Sequence, residues 1–329
     1  MEAIRTRDLR KTYRTRVKAE GLGASFRALV KPDWRDVQAV KGVDLEVGRG
    51  DLVAFIGPNG AGKSTFIKML CGILHPTAGD ISVLGMSPIR ERRRLAMRIG
   101  TVFGQKSQLW LHLPAADSLT LLAAIYEISD SERKRRVDEL TDLFELGSFL
   151  QTPVRKLSLG QRIRCEVAAS LLHDPELLFL DEPTIGLDVV VKQAIRELII
   201  RRNKERGTTV FLTSHDPADI EHLCQRAVVI DNGTVVLDTP VDKLKTEYLG
   251  KKLIEVSFST AQVVPVLEGV TETRDSGGLK TTLTVDTGVR PIGEVMERLS
   301  ELGNVLDITI SNPPMEEIIA AIFREEASG

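Results

Sequence analysis

Nine residues, Gly57 to Thr65, read GPNGAGKST, and their types and spacing suit them to hold a phosphate chain. Gly57, Gly60 and Gly62 let the backbone curl without Cβ clashes, so successive N–H groups can point at one anion. An apolar run, Leu52 to Ile56, leads in with strand character. Phe66 to Leu70 leads out as a helix, whose opening carries partial positive charge. That strand–loop–helix setting turns GxxxxGK[ST] into a site for a nucleoside triphosphate. Pro58, Asn59, Ala61 and Thr65 complete the loop; Lys63 is placed to reach the β- and γ-phosphates and Ser64 to hold Mg²⁺.

Hydrolysis of a bound triphosphate needs a carboxylate aimed at the cation from the end of a buried strand. The almost wholly apolar run Glu176 to Leu180 ends at Asp181, and Glu182 follows, where it could orient and deprotonate a water. A buried carboxylate pair is costly unless a metal or hydrogen bonds occupy it, which argues against a purely structural pair. His215, after the apolar strand 208–213, could donate to the γ-phosphate, and Gln105, after the strand 99–103, could touch Mg²⁺ or the water. Each of these two is as compatible with a structural role when taken alone.

The elements that must position these groups alternate strand and helix, as in a parallel α/β sheet. Ile4 to Tyr13 reads as a first strand and Gln38 to Val47 as a second. Between them, Arg14 to Val37 places Leu22, Phe26, Leu29 and Val30 at helical spacing among Arg16, Lys18, Arg27, Lys31 and Arg35. This insertion reads either as a surface helix packed on its own domain or as a basic amphipathic element that meets a bilayer. Gly79 to Leu84 reads as an edge strand and Arg90 to Arg98 as a basic helix. From about 105 to 172 the pattern is helical, interrupted by Pro153 and resumed at Leu157-Ser158-Leu159-Gly160-Gln161. Helix 189–205, helix 217–224 and the Asn232-Gly233 turn between two strands close the first domain near 240. Residues 250–329 read strand, helix (Ala261 to Glu268), two strands, helix, strand and a last helix after Pro313-Pro314, the order of a ferredoxin-like unit.

Composition excludes little but bounds the setting. The chain has 329 residues, 42% hydrophobic and 27% charged, with a net charge of −2, enough for two domains of an ordinary globular protein. No apolar run nears the ~20 residues that span a bilayer, and the first fourteen residues lack a signal-peptide core. Cys71, Cys165 and Cys224 are too scattered for a metal site or a disulfide framework, which fits a reducing cytoplasm. Residues 1–38 carry ten Lys/Arg against five Asp/Glu, whereas 250–329 carry seven against thirteen. The first segment therefore favours acidic partners such as lipid head groups, and the last does not favour nucleic acid.

With GPNGAGKST, Gln105, LSLGQ at 157–161, LLFLDEP at 177–183, Gly186-Leu187-Asp188 and His215 in this order, residues 1–240 resemble the nucleotide-binding subunit of ABC transporters. The pattern is most similar to the ABC-2 type export group, several of which carry a small C-terminal domain. The resemblance implies an α/β P-loop NTPase fold (an ABC ATPase, residues 1–240) with a helical subdomain at about 105–172 and an α+β ferredoxin-like accessory domain at 250–329. It also implies an ATPase using ATP and Mg²⁺, in which Glu182, His215 and Gln105 are catalytic and Ser64, Gln105 and Asp181 serve the metal.

Two copies would stack head to tail. Ser158, Gly160 and Gln161 of one would then meet the ATP held by the other, and Asp188 would link the two sites. Tyr13 would stack on adenine, with Trp34 as the alternative. The partner would be a separate transmembrane permease at the cytoplasmic face of the cell membrane, moving cargo outward. Leu109, Trp110, Leu111 and Leu113 form an apolar cluster suited to that contact, or to internal packing. A soluble ABC ATPase acting on ribosomes or DNA is the alternative; such proteins usually carry two nucleotide domains or a long coiled coil, and no nucleic acid partner is expected. A metabolite kinase would leave LSLGQ unexplained. One departure stands out: the family's signature loop reads LSGGQ, and Leu159 replaces its first glycine, a strain if that position needs φ > 0.

Overall fold

The computed structural model describes residues 2–16, 34–103, 107–185, 187–214, 216–244, 250–261, 264, 267–274 and 279–313. Two compact units divide the chain: residues 1–214 with 222–238, and residues 215–221 with 239–329. The division therefore transfers the short stretch 215–221 to the unit that also holds the C-terminal part.

In the first unit, β1 (Glu2–Arg16) and β2 (Trp34–Gly48) form a long antiparallel pair, and β4 (Ala78–Val83) flanks β1 on its other side. A six-stranded sheet runs in the order β5 (Ile99–Phe103), β6 (Leu177–Asp181), β7 (Thr209–Thr213), β3 (Leu52–Ile56), β8 (Arg226–Asp231) and β9 (Thr234–Pro240). Its strands β5, β6, β7, β3 and β8 pair in parallel. Their continuous apolar composition follows from burial on both faces; every residue of β3 and β7 is buried. β9 adjoins β8 through Asn232 and Gly233, both at positive φ, as a two-residue hairpin turn requires.

Helices carry the chain between these strands: α1 (Lys63–Leu70), α2 (Arg92–Ala96), α3 (Ala115–Ile125), α4 (Asp130–Leu143), α5 (Leu159–Leu171), α6 (Val189–Arg206) and α7 (Pro217–Leu223). Local chemistry fixes their ends. At α4, the Ser129 hydroxyl accepts the Glu132 N–H, and Asp130 and Glu132 sit in the positively polarised first turn. Asp188 caps α6 in the same way, and Gly207 at φ 65° ends it. The basic helix expected over 90–98 shrinks to five residues. Its N-cap Glu91 makes no side-chain cap bond.

An aromatic cluster behind the phosphate loop ties four of these elements together. Phe55 stacks on Phe66 at 5.0 Å and lies 5.2 Å from Phe211, which in turn meets Phe179 edge-on at 5.9 Å. All four rings are fully buried. Truncating one of them to Ala would cost about 3–5 kcal/mol and loosen the base on which the loop stands. At the far end of β6, Glu176 accepts bonds from Arg98 and from Arg49, the latter at 2.8 Å. The Arg98 hydrogen bonds in particular hold its carboxyl below the usual range.

The insertion 14–37 is corrected at both ends. Arg14–Arg16 and Trp34–Val37 are not helical; they prolong β1 and β2, with Arg14 facing Asp36 and Arg16 facing Trp34. Cross-strand pairing of Thr15 with Arg35, whose carbonyl accepts the Thr15 hydroxyl at 3.0 Å, outcompetes the weak helical signal there. The four apolar residues that suggested a helix, 22 to 30, lie outside the described residues.

The second unit contains α8 (Val241–Leu244) and a four-stranded antiparallel sheet. Its order is β11 (Val270–Arg274), β12 (Lys280–Asp286), β10 (Lys251–Phe258) and β13 (Val305–Ser311). Val295 and Leu299 of α9 (Ile292–Glu301) share a core with Ile254, Val256, Leu283 and Val285. The helix expected over 261–268 lies partly, and the one after Pro313 wholly, outside the described residues.

Candidate functional site

Strand β3 delivers the chain to a cavity of about 680 Å³ whose walls include Pro58, Asn59, Gly60, Ala61, Gly62, Lys63, Ser64 and Thr65, together with Asp181 and Glu182. Gly62 is the residue on which the loop turns. Its φ is +106°, and a Cβ there would stand 2.3 Å from the Ala39 carbonyl oxygen, so neither the conformation nor the space admits another side chain. Gly62 also caps α1, so the positive end of that helix opens onto the cavity. The Lys63 ammonium lies within the loop and donates to the carbonyls of Gly57 and Pro58.

Across the cavity, sheet register assembles the carboxylates. β6 and β7 pair Asp181 with Thr213. The buried Thr213 hydroxyl donates to Asp181 Oδ1 at 2.6 Å, while the Ser64 hydroxyl donates to Asp181 Oδ2 at 3.1 Å. Glu182 then turns away from the strand at φ 55°, a left-handed conformation unfavourable for a residue with a Cβ. Two bonds hold its N–H there, 3.0 Å to the Thr213 carbonyl and 3.2 Å to the Thr213 hydroxyl. These bonds fix the direction in which the chain leaves the strand. Thr213 escaped the sequence reading. Its only signal is its place at the end of a strand of the same length as the one ending in Asp181, and strand pairing cannot be read from one sequence.

The remaining predicted residues are distributed as follows. Ser158, Gly160 and Gln161 do not line this cavity. Ser158 and Gln161 form a reciprocal cap at the start of α5, with Ser158 Oγ accepting the Gln161 N–H at 3.2 Å and Gln161 Oε1 accepting the Ser158 N–H at 3.0 Å. Leu159 is the first helical residue, half exposed and without a positive φ, so the departure from LSGGQ brings no backbone strain. A Cβ on Gly160 would meet only Leu187 Cδ2, at an ordinary 3.8 Å; its own chain does not require glycine there. Asp188 accepts the Val191 N–H at 2.9 Å as the α6 cap. Tyr13 sits on β1 opposite Val37 with the Lys11 ammonium 5.3 Å from its ring centre, and Trp34 is exposed beside Arg14. Neither ring lines the cavity, whose wall on the β2 side is Ala39. Gln105, Gly186 and His215 lie outside the described residues. In the apolar cluster, Leu109 is buried whereas Trp110 and Leu111 are exposed.

A parallel sheet, a glycine loop at a helix start and a strand-end carboxylate bonded to the loop's Ser64 define a P-loop nucleoside triphosphatase. The ABC transporter family matches residues 40–185. The chain is 34% identical to the daunorubicin resistance ATP-binding protein DrrA3 of Streptomyces coeruleorubidus over 87% of this chain and 91% of that protein. It is 35% identical to the bacitracin transport ATP-binding protein BcrA of Bacillus licheniformis, covering 70% of this chain and 73% of that one. A solved dimeric ATP-binding cassette in a post-hydrolysis state, bound to ADP and Pi, superposes with a TM-score of 0.62 at 26% identity, over 72% of this chain and 98% of that one. The chain belongs to the ATP-binding subunits of ABC transporters. It is an ATPase. Among the described residues no helix is long and apolar enough to cross a membrane.

Proposed function

We propose that this subunit drives export through a separate permease by clamping ATP between two head-to-tail copies and cleaving it with Glu182 as the general base. The observation that carries the reading is the array Ser64–Asp181–Thr213 with Glu182 held in a strained turn beside the loop. Lys63 and the loop N–H groups bind the β- and γ-phosphates. Glu182 orients a water in line with the γ-phosphorus and takes its proton as the P–O bond to the leaving ADP breaks, releasing inorganic phosphate. His215 and Gln105 are assigned by resemblance to the γ-phosphate and to the cation or water.

The donor set fits a hard cation. Ser64 Oγ and Asp181 Oδ2 already converge at 3.1 Å, and no group of three His, Cys, Asp or Glu exists among the described residues to form an all-protein cage. Mg²⁺ held by these two groups would supply neutralisation of charge on the β- and γ-oxygens.

Ser158 and Gly160 stand outside the cavity of their own chain, at a helix start with an unconstrained glycine, which suits a phosphate contact made in trans. Because that contact needs the third phosphate, closure depends on ATP and hydrolysis releases it. Outward transport follows from relatives named for drug resistance, bacitracin transport and fluoroquinolone export. Exposed Trp110 and Leu111 would meet the permease, placing the subunit peripherally at the cytoplasmic face with no nucleic acid partner. Residues 250–329 are assigned by the resemblance to an accessory domain. The test is Glu182→Gln: turnover should fall by roughly a hundredfold or more with ATP binding retained, and unchanged turnover would remove Glu182 as the base.

A further inference from the structure

The stretch 107–114, which exposes Trp110 and Leu111, is fastened to the chain on both sides of Ser158, to the turn Val154–Lys156 before it and to α5 after it. Ahead of it, the Arg155 N–H donates to the Leu111 carbonyl at 2.9 Å and the Val154 N–H to the Leu113 carbonyl at 3.0 Å. Behind it, Glu166 on α5 receives the Ser107 hydroxyl on Oε1 and the Gln108 N–H on Oε2 at 3.2 Å. Gln108 Nε2 adds a bond to the Glu166 main-chain carbonyl at 2.9 Å. Glu166 is only 7% exposed. Burial pushes its carboxyl up, against the hydrogen bonds that lower it. A buried carboxylate is retained at a cost, and this one faces the Arg162 charge as well as the two donors of the 107–108 segment. What this one does is join two segments 58 and 59 residues apart in sequence.

We infer that Glu166 is a positioning residue for hydrolysis: it locks the segment carrying Trp110 and Leu111 to α5, so that the two move as one body and Ser158 and Gly160 are held at a fixed distance from that segment. Eight residues of α-helix separate Ser158 from Glu166, about 12 Å of stiff rod, which transmits a displacement at one end to the other. The inference rests on the proposed trans contact of Ser158 and Gly160 with ATP. It adds to that reading a residue outside every nucleotide-binding motif, and a route by which force on the exposed pair reaches the nucleotide.

The experiment uses the full-length protein and compares Glu166→Leu, Glu166→Gln, Ser107→Ala and the double variant Ser107→Ala/Glu166→Leu. Glu166→Leu keeps the volume and loses both acceptors. Its kcat should fall about tenfold or more, the expected loss when a charge-assisted bond that orders a reacting group is removed. ATP affinity of the Walker loop, read by equilibrium binding of a fluorescent ATP analogue, should stay within about twofold because the loop is untouched. Glu166→Gln restores activity, since its Oε1 accepts from Gln108 and its amide donates to Ser107 Oγ, whose hydroxyl can turn to the Leu109 carbonyl 3.3 Å away. Ser107→Ala should lower kcat severalfold, and the double variant should be no worse than Glu166→Leu, because both act through one joint.

The inference is overturned if Glu166→Leu keeps its kcat, if ATP affinity falls in step with kcat and melting temperature, or if the Ser107 and Glu166 effects simply add. Gly160→Asp, measured alongside, separates the two layers. Abolished turnover in Gly160→Asp with normal turnover in Glu166→Leu sinks the joint alone; normal turnover in Gly160→Asp sinks the trans reading and the joint with it.

Discussion

Replacing Thr213 by Val tests how the carboxylates are aimed while leaving shape and volume almost unchanged. Thr213 is fully buried, and its hydroxyl donates to Asp181 at 2.6 Å while accepting the Glu182 N–H at 3.2 Å. Valine removes both bonds. The Glu182 N–H keeps its 3.0 Å bond to the residue 213 carbonyl, so the net loss is one charge-assisted bond and one secondary acceptor. Hydrogen bonds to charged groups contribute about 1.5–3 kcal/mol. Asp181 is only half-buried and can recover part of that from water, which argues for about 1–2 kcal/mol. At roughly 2–4 °C per kcal/mol for a domain of this size, the melting temperature should drop by about 2–8 °C.

The kinetic effect should be larger than the stability effect, because Glu182 occupies a left-handed turn that relaxes once its anchor weakens. A displacement of under 1 Å costs up to about a hundredfold in kcat, so a loss of about 10- to 100-fold is expected. ATP binding, which depends on the loop, should change little. Steady-state hydrolysis, analogue binding and thermal melts on Thr213→Val and Thr213→Ser settle the matter. Serine should recover most of kcat, because it restores the hydroxyl. A Thr213→Val enzyme with wild-type kcat and melting temperature would show that the hydroxyl aims nothing.

Other perturbations follow from the same structure. Gly60→Ala meets open space and costs only its positive φ, about 1 kcal/mol. Gly62→Ala must also move the Ala39 carbonyl, and should cost several kcal/mol and abolish ATP binding; equal melting temperatures for the two would refute the assignment. His173 stacks on Tyr126 at 3.8 Å and bonds the Ile99 carbonyl through Nε2, leaving Nδ1 buried without a partner among the described residues. Burial depresses its pKa to about 4, from 6.5. The unfolded chain therefore binds more protons between these values. The contribution is intact above pH 6.5 and is lost as pH falls toward 4, at a slope of up to about 1.4 kcal/mol per pH unit. Chemical denaturation of His173→Phe should show a flatter pH dependence in that window, and an identical slope would contradict the cause given. Finally, replacing residues 17–33 by a two-residue turn, which the facing pair Arg16 and Trp34 can close, should leave ATP binding intact and weaken recovery with membranes; undiminished recovery would discard a membrane role for the insertion.

The phosphate loop was legible in sequence because its geometry is local: glycines at fixed offsets between a strand and a helix produce the same cradle wherever they occur. Asp181 and Glu182 were legible for a related reason, as polar residues closing an apolar run. Thr213 and Glu166 were not, because each is defined by what lies beside it. Sheet register brings Thr213 to Asp181 across 32 residues, and a helix face brings Glu166 to Ser107 across 59. The capping pair Ser158–Gln161 shows the reverse: a motif noted for nucleotide contact has a structural task as well, closing the first turn of α5. At residues 14–37 the helical spacing misled at the ends, where pairing between β1 and β2 decides. Leu159 looked like a liability until its helical backbone was seen, since only φ distinguishes a strained leucine from a tolerated one.

The central claim is that ATP itself joins two copies of this chain. Full-length Glu182→Gln, which binds ATP but should not cleave it, can be followed by light scattering with and without ATP and Mg²⁺. The mass should double from that of a 36.3 kDa monomer on adding ATP and stay single with ADP. A mass indifferent to the third phosphate, with ATP demonstrably bound, would contradict the account.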